Sequence, residues 1–189
     1  MVINKNKQAF ENNTITLIGM MGVGKSKFGH LVAKKLNLDF YDIDSIIEEK
    51  FNNTIKNLFI SHGEFFFRNI EKQEIYNTVN KARASKEKSI ISVGGGAFDN
   101  SYTRKLLLTN TMVIWLNTPV NILVNRIGDG SKRPMIQGDV KASINKIFKK
   151  RIKYYTLCHY KLDTDMLSPK EITDQIIKIV SLKNIKKKT

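Results

Sequence analysis

Short apolar runs alternate along the chain with segments in which apolar residues recur every three or four positions. The runs are ITLI at 15–18, DFYDID at 39–44, SIISV at 89–93, MVIWLN at 112–117 and a weaker YKLDT at 160–164. Between the first two runs, Phe28, Leu31, Val32 and Leu36 have the spacing of one helix face. Strands that alternate with amphipathic helices predict an α/β fold, a parallel sheet covered by helices.

The chain reads as one folded unit. Its 189 residues are 41% hydrophobic and 26% charged, which excludes disordered and fibrous classes. We find no repeat or composition break in 14–182 and expect a single domain there, with a frayed N-terminus at 1–13 and a basic tail at 183–189. No apolar run is long enough to span a membrane, and the one cysteine, Cys158, favours a reducing, cytoplasmic setting.

The formal charge of +15 would by itself favour a nucleic-acid partner. However, only six of the 32 basic residues are arginines, and the chain is also rich in Asn and Ile, so we interpret much of the charge as composition bias and expect no nucleic acid. A chain that avoids arginine should keep it where a rigid fork must grip a carboxylate or phosphate. The six are Arg68, Arg83, Arg104, Arg126, Arg133 and Arg151.

A phosphate-binding loop follows the first strand. The segment GMMGVGKS at 19–26 matches G-x-x-x-x-G-K-[ST] between a predicted strand and a predicted helix. Lys25 would reach the β and γ phosphates of ATP, and Ser26 would ligate Mg²⁺. The predicted ATP-binding residues of this loop are Gly22, Val23, Gly24, Lys25, Ser26 and Lys27. The alternative is a plain glycine-rich turn with an exposed lysine.

Two carboxylates end the second predicted strand. Asp42 and Asp44 are two residues apart, so in a strand they would share a face at the carboxyl end of the sheet. One could hold Mg²⁺ through water while the other accepts a hydroxyl proton. The alternative is a pair of surface acids that caps the next helix.

Further along, Arg68 and Glu71 are one helical turn apart, a spacing that lets the carboxylate orient the guanidinium. A surface ion pair is the alternative. The third run leads directly into Gly94, Gly95 and Gly96, which offer a ligand a close approach to backbone. A flexible turn is the alternative there.

Taken together, GMMGVGKS, DFYDID, FRNIE, VGGG and the later Lys132-Arg133-Pro134 resemble the shikimate kinase family over about 14–182. The resemblance implies a three-layer P-loop kinase fold with a five-stranded parallel sheet and a short mobile lid at about 127–140. It also implies a monomer that uses ATP and one Mg²⁺ per subunit. The reaction would transfer the γ-phosphoryl group to the 3-hydroxyl of shikimate, giving shikimate 3-phosphate and ADP.

The resemblance also implies roles for individual residues. Asp44 would hold the shikimate hydroxyls and help the attacking oxygen lose its proton, with Asp42 on the magnesium side. Arg68, oriented by Glu71, would grip the shikimate carboxylate. The other implied acceptor ligands are Gly94, Gly95, Gly96 and Arg151.

Two arginines and the loop lysine are implied to act on the nucleotide. Arg133 resembles the lid arginine that closes over the transferring group, and Arg126 resembles the residue beside the adenine and phosphates. Asp44, Lys25 and Arg133 are therefore the expected catalytic residues. The departures from the family pattern are Lys27, Asn52, Asn53 and Met135, and none of them removes a reacting group.

Other interpretations remain open at this point. A gluconate or nucleoside monophosphate kinase would share the phosphate loop, a basic nucleic-acid-binding ATPase would explain the charge, and a degenerate kinase could serve as a binding module. We expect Arg83 and Arg104 to be helix-surface charges and Trp115 and Cys158 to be interior residues. His30, His62 and His159 lack the spacing of a metal site.

Overall fold

A computed structural model describes residues 2–3, 14–85, 87–131, 133–136 and 138–185. Its elements in chain order are β1 (Val2–Ile3), β2 (Thr14–Ile18), α1 (Lys25–Leu36), β3 (Asp39–Asp42), α2 (Ile43–Phe51), α3 (Ile55–Ala84), β4 (Ser89–Ser92), a 3₁₀ turn (Ala97–Asp99), α4 (Ser101–Asn110), β5 (Met112–Asn117), α5 (Val120–Ile127), α6 (Val140–Tyr155), β6 (Tyr160–Asp163) and α7 (Pro169–Ile185). Helices and strands alternate, as the apolar pattern predicts.

The sheet has the strand order β1-β6-β5-β2-β4-β3. Strands β2 to β6 are all parallel, with Thr14 opposite Ser89 and Ile15 opposite Met112, so the five-stranded parallel sheet is confirmed. The short strand β1 adds to the edge of β6 in the antiparallel direction. This pairing differs from the frayed N-terminus expected for 1–13, since the edge of β6 offers backbone groups to any nearby segment. Residues 1 and 4–13 lie outside the described part of the chain.

The three central strands are buried along almost their whole length, which is why they read as continuous apolar runs rather than alternating ones. Trp115 is 3% exposed and Cys158 is also buried, so both are interior residues as expected. Helix α1 packs against α7, while α3 packs against α4 and α5 against α6. Within the described residues, no helix combines the length and the apolar character needed to cross a membrane.

Local capping explains where the site-bearing helices begin and end. Asn52 ends α2 in the left-handed conformation, with φ 46°, which asparagine tolerates better than most residues. The hydroxyl of Thr54 then accepts a hydrogen bond from the Asn57 backbone N–H and caps α3. Helix α3 is kinked at Gly63, where φ is 79°. Asn52 is therefore compatible with the turn that joins α2 to α3.

At its C-terminal end, α7 continues to Ile185. Residues 183–185 of the expected basic tail continue this helix, and residues 186–189 lie outside the described chain. Because the five long strands are parallel, their carboxyl ends meet at one edge of the sheet. The loop after β2, the start of α2 and the glycines after β4 are thereby brought to the same edge.

Candidate active site

The loop between β2 and α1 has the backbone shape of a phosphate cradle. Gly22 and Gly24 have φ values of 78° and 96°, and a Cβ at either position would lie under 3 Å from a neighbouring side chain. Helix α1 begins at Lys25 directly after Gly24, which has no side chain to cap it. Its first backbone N–H groups are therefore available to an anion, which the positive end of the helix dipole also favours.

Lys25 lies across this loop. Its Nζ donates hydrogen bonds to the carbonyl oxygens of Gly19 and Met20, at 3.0 and 3.1 Å. Burial lowers the pKa of the Lys25 ammonium to about 8, an effect that the nearby charge of Asp44 partly offsets. A cation thus stands between the phosphate loop and the second carboxylate of the predicted pair.

The two carboxylates are neighbours, but they do not share a strand face as predicted. Asp42 is the last residue of β3 and caps α2, where its Oδ1 accepts a hydrogen bond from the Ser45 backbone N–H at 3.2 Å. The strand prediction for Asp44 was wrong, because that cap starts the helix at Ile43 and places Asp44 in its first turn. The helix-capping alternative therefore holds for Asp42.

Each carboxylate has a property that suits a catalytic or ligand-binding role. The Oδ2 atom of Asp42 is buried and has no hydrogen-bond partner among the described residues. Burial raises the pKa of the Asp44 carboxyl, as does the charge of Asp42, while Lys25 and Arg133 lower it. Asp44 is thus a better proton acceptor than an ordinary exposed aspartate.

An open pocket lies beside Asp44 at this edge of the sheet. Its lining residues are Met21, Asp44, Ile55, Phe59, Phe67, Arg68, Glu71, Gly94, Gly95, Gly96, Arg133, Pro134, Met135 and Arg151. The structure therefore brings together all six residues predicted to bind the acceptor, which come from α2, α3, the loop after β4 and α6. The pocket combines cationic, carboxylate and apolar surface, as small-molecule sites commonly do.

Arg68 is held in place on the wall of this pocket. Its Nη1 donates to Glu71 Oε2 at 2.7 Å, and its Nε donates to Glu64 Oε1 at 3.2 Å. The guanidinium also lies over the rings of Phe59 and Phe67. Glu71 is 2% exposed, and burial raises the pKa of its carboxyl against the opposing effect of Arg68. The pair is therefore an oriented, largely buried contact rather than a surface ion pair.

The glycines after β4 let the second arginine approach. A Cβ at Gly96 would lie 2.5 Å from Arg68 Nη2 and 2.7 Å from Arg151 Nη2, so both guanidinium groups pack directly on backbone. A Cβ at Gly94 would overlap Glu71 and lie 3.1 Å from Asp44 Oδ1. Any larger residue would displace the charged groups that form the pocket wall.

Three further residues support the site, and of these the sequence singled out Arg104 alone. Asp99 accepts a hydrogen bond at Oδ2 from Arg151 Nε at 3.0 Å, and the Tyr155 hydroxyl donates to the Gly95 carbonyl oxygen. Arg104 was expected on the helix surface, but it is partly buried, and its Nη1 donates to the carbonyl oxygens of Phe98 and Asp99. The expectation for Arg104 was wrong because its side chain reaches the backbone of the 3₁₀ turn that directly precedes α4.

Of the remaining arginines, Arg133 and Arg126 lie on or near the predicted lid. Arg133 is exposed, lines the pocket and sits in a turn, where its backbone N–H donates to Gly130 at 2.8 Å. Arg126 is exposed in the last turn of α5 and is not among the residues that line this pocket. Arg83 is exposed at the end of α3, as expected. Lys132, part of the predicted Lys-Arg-Pro motif, lies outside the described residues.

Comparisons with a family model, with relatives and with solved structures all indicate the same family. A family model described as shikimate kinase matches residues 21–181. A shikimate kinase of Zymomonas mobilis is 38% identical over 87% of this chain and 91% of its own length, and one of Sulfurihydrogenibium sp. is 34% identical over 86% and 95%. Among solved structures, shikimate kinase from Acinetobacter baumannii in complex with shikimate superimposes with a TM-score of 0.82 at 27% identity, over 90% of this chain and 94% of that one.

Proposed function

The chain belongs to the shikimate kinase family, and we propose that its residues carry out the reaction of that family at the pocket beside Asp44. The reaction transfers the γ-phosphoryl group of ATP to a hydroxyl of shikimate and releases ADP. One observation carries the assignment of the acceptor site: Arg68 and Arg151 converge on Gly96, with Asp44 across the same pocket. Two guanidinium groups suit a carboxylate, and an aspartate suits hydroxyl groups.

In this proposal the arginines orient the acceptor. A carboxylate bound by Arg68 and Arg151 would direct the opposite, hydroxyl-bearing side of the ring toward Asp44 and the phosphate loop. Positioning of this kind supplies much of the rate in phosphoryl transfer, because the chemistry needs little covalent assistance. An uncharged sugar would leave the buried Arg151 without an anionic partner from the substrate.

Asp44 would then take the proton. The 3-hydroxyl oxygen attacks the γ-phosphorus, its proton passes to the Asp44 carboxylate, and the bond between the γ-phosphorus and the bridging oxygen of ADP breaks. The raised pKa of Asp44 favours this transfer. Lys25 and Arg133 both lie close enough to Asp44 to influence its charge, and we assign them to the negative charge on the transferring group.

We assign the nucleotide to the loop of residues 19–26, with Gly22 to Lys27 on the phosphates and Arg126 beside the adenine. For Mg²⁺, Ser26 and Asp42 are the proposed ligands. They fit the ion, because Asp42 Oδ2 is a buried acceptor with no partner among the described residues and Ser26 lies exposed in the first turn of α1. The ion would neutralise phosphate charge.

Three broader expectations stay proposals. We propose a monomer as the catalytic unit, as expected from the sequence. We propose that residues 127–140 form a lid, since Arg133, Pro134 and Met135 line the pocket from that segment. We also propose a cytoplasmic enzyme without a nucleic-acid partner.

The direct test is ADP release with ATP and Mg²⁺, measured with shikimate, gluconate, a panel of nucleoside monophosphates and no acceptor. Turnover that depends on shikimate is the expected result, and Asp44→Asn serves as the inactive control. Turnover with gluconate or a nucleotide instead of shikimate would overturn the acceptor assignment. Stoichiometric, salt-sensitive retention of RNA or DNA would support the nucleic-acid alternative.

A further inference from the structure

A buried ion pair lies behind the acceptor pocket. Arg151 is 3% exposed, and its Nε donates to Asp99 Oδ2 at 3.0 Å. Asp99 belongs to the 3₁₀ turn that directly follows the three glycines. The contact uses only the inner nitrogen, while Nη1 and Nη2 lie against Gly95 and Gly96 on the pocket side. The outer end of the guanidinium is therefore directed at the space where an acceptor would bind.

Only one of the two carboxylate oxygens of Asp99 accepts a hydrogen bond from the described residues. Its Oδ1 is buried and has no hydrogen-bond partner among the described residues, so the charge is balanced chiefly by Arg151. A buried carboxylate without a paired cation is strongly unfavourable. The Asp99 side chain is 23% exposed but one of its oxygens is buried, so movement of Arg151 away would leave that oxygen without this cation, which disfavours other positions of the guanidinium.

The turn that carries Asp99 is itself held from two sides. Arg104, on α4, donates from Nη1 to the carbonyl oxygens of Phe98 and Asp99 at 2.9 and 3.1 Å. Its guanidinium also stacks on the ring of Tyr154, 4.3 Å from the ring centre, and Tyr154 lies on α6 with Arg151. Arg104 thus fixes the position of the turn relative to α6, the helix that carries Arg151.

We propose that Asp99 is a positioning residue for acceptor binding, which holds Arg151 by Nε so that Nη1 and Nη2 receive the acceptor carboxylate, and that Arg104 supports this arrangement through the turn. The proposal rests on the proposed function, because it assumes an acceptor with a carboxylate at Arg151. It makes Asp99 and Arg104 determinants of specificity for an acidic acceptor. A competing interpretation is that Asp99 neutralises Arg151 and opposes the acceptor carboxylate.

The two interpretations predict opposite shifts in Asp99→Ala. Under our proposal, KM for shikimate rises about tenfold, while kcat stays within about threefold and KM for ATP is unchanged, because acceptor binding is weakened equally in the ground state and the transition state. Asp174→Ala is the matched control, since it removes an acid from the exposed Lys35–Asp174 pair on α1 and α7. An unchanged or lowered KM for shikimate would overturn the proposal.

A double-mutant cycle shows whether Asp99 acts through Arg151. In an Arg151→Gln background, Asp99→Ala should change KM for shikimate little further, and full additivity would overturn the proposal. If Asp99→Ala fails to fold, Asp99→Asn keeps the size of the side chain and must show the same direction of change. Arg104→Lys should raise the same KM by a smaller factor, whereas Arg83→Lys should not.

The same assay separates this inference from the proposed function. A wild-type enzyme without shikimate-dependent turnover would contradict the function and the inference together. A wild-type enzyme that turns over shikimate, with a folded Asp99→Ala variant of unchanged KM, would contradict the inference alone. Thermal unfolding of each variant identifies any loss of fold.

Discussion

Arg68 and Glu71 form a contact of 2.7 Å across one turn of α3, and the carboxylate in this contact is almost completely buried. A buried glutamate that binds one edge of a guanidinium leaves the other edge in a defined direction. That direction is toward Gly96, where Arg68 Nη2 meets the second arginine of the pocket. The pair therefore determines the geometry in which an anionic acceptor can bind.

We predict that Arg68→Lys raises KM for shikimate by about tenfold or more, because an ammonium cannot bind Glu71 and an acceptor carboxylate with the same fixed geometry. Steady-state kinetics with varied shikimate measure the change. Arg83→Lys, an exposed exchange of the same type, should behave as the wild type. An Arg68→Lys enzyme with unchanged KM for shikimate would show that Arg68 does not bind the carboxylate.

Asp44→Asn should fold normally and lower kcat by about 100-fold to 10,000-fold, since the amide cannot accept the hydroxyl proton. In the wild type, kcat/KM should fall as the pH decreases toward the pKa of Asp44, which burial places above the ordinary value for aspartate. Circular dichroism checks the fold, and Asp174→Asn is the control for loss of an acid. Near-normal turnover in a folded Asp44→Asn enzyme would contradict the assigned role.

The lowered pKa of Lys25 predicts that ATP affinity is lost at alkaline pH. Its pKa of about 8 means that the free enzyme loses this positive charge as the pH rises above 8. ATP binding should weaken by up to about tenfold per pH unit above that value, because binding must restore the proton. Titration calorimetry from pH 7 to 9.5 measures the effect. The guanidinium of a Lys25→Arg variant keeps its charge, so the pH dependence of that variant should be flatter, and a flat profile in the wild type would contradict the prediction.

The lowered pKa of His159 predicts that the folded protein loses stability against unfolding in acid. Its Nδ1 accepts a hydrogen bond from the Val113 backbone N–H at 2.9 Å, and burial lowers its pKa from 6.5 to about 4. Between these values the unfolded chain binds a proton that the folded chain does not, so the free energy of unfolding falls as the pH falls from about 6.5 to about 4. For a partly exposed group we expect a contribution of about 1–2 kcal/mol.

His159→Asn tests this contribution. The asparagine oxygen can accept the same N–H but does not titrate, so the free energy of unfolding should fall less between pH 7 and pH 4.5 than in the wild type. Urea unfolding at several pH values measures both slopes. Carboxyl groups such as Asp44 titrate in both proteins and cancel in the difference, and equal slopes would show that His159 is not the source.

The amino-acid sequence by itself determined the features that depend on neighbouring residues. The phosphate loop, the alternating strands and the Arg68–Glu71 pair follow from motifs or from spacing along one element, and the scarcity of arginine drew attention to three arginines that line the pocket. These patterns are local, so they are visible before folding. The expectation for Asp44 was wrong in its element but correct in its place, because the cap at Asp42 begins the helix earlier than strand alternation suggests.

Only the tertiary structure decided which distant groups meet. Asp99 and Arg151 are 52 residues apart, and the guanidinium of Arg104 on α4 meets the ring of Tyr154 on α6. No spacing rule along a single element links such residues. Their contact depends on which strands are neighbours and on how α4 and α6 pack at the sheet edge, so the positioning of the second arginine became visible only in the fold.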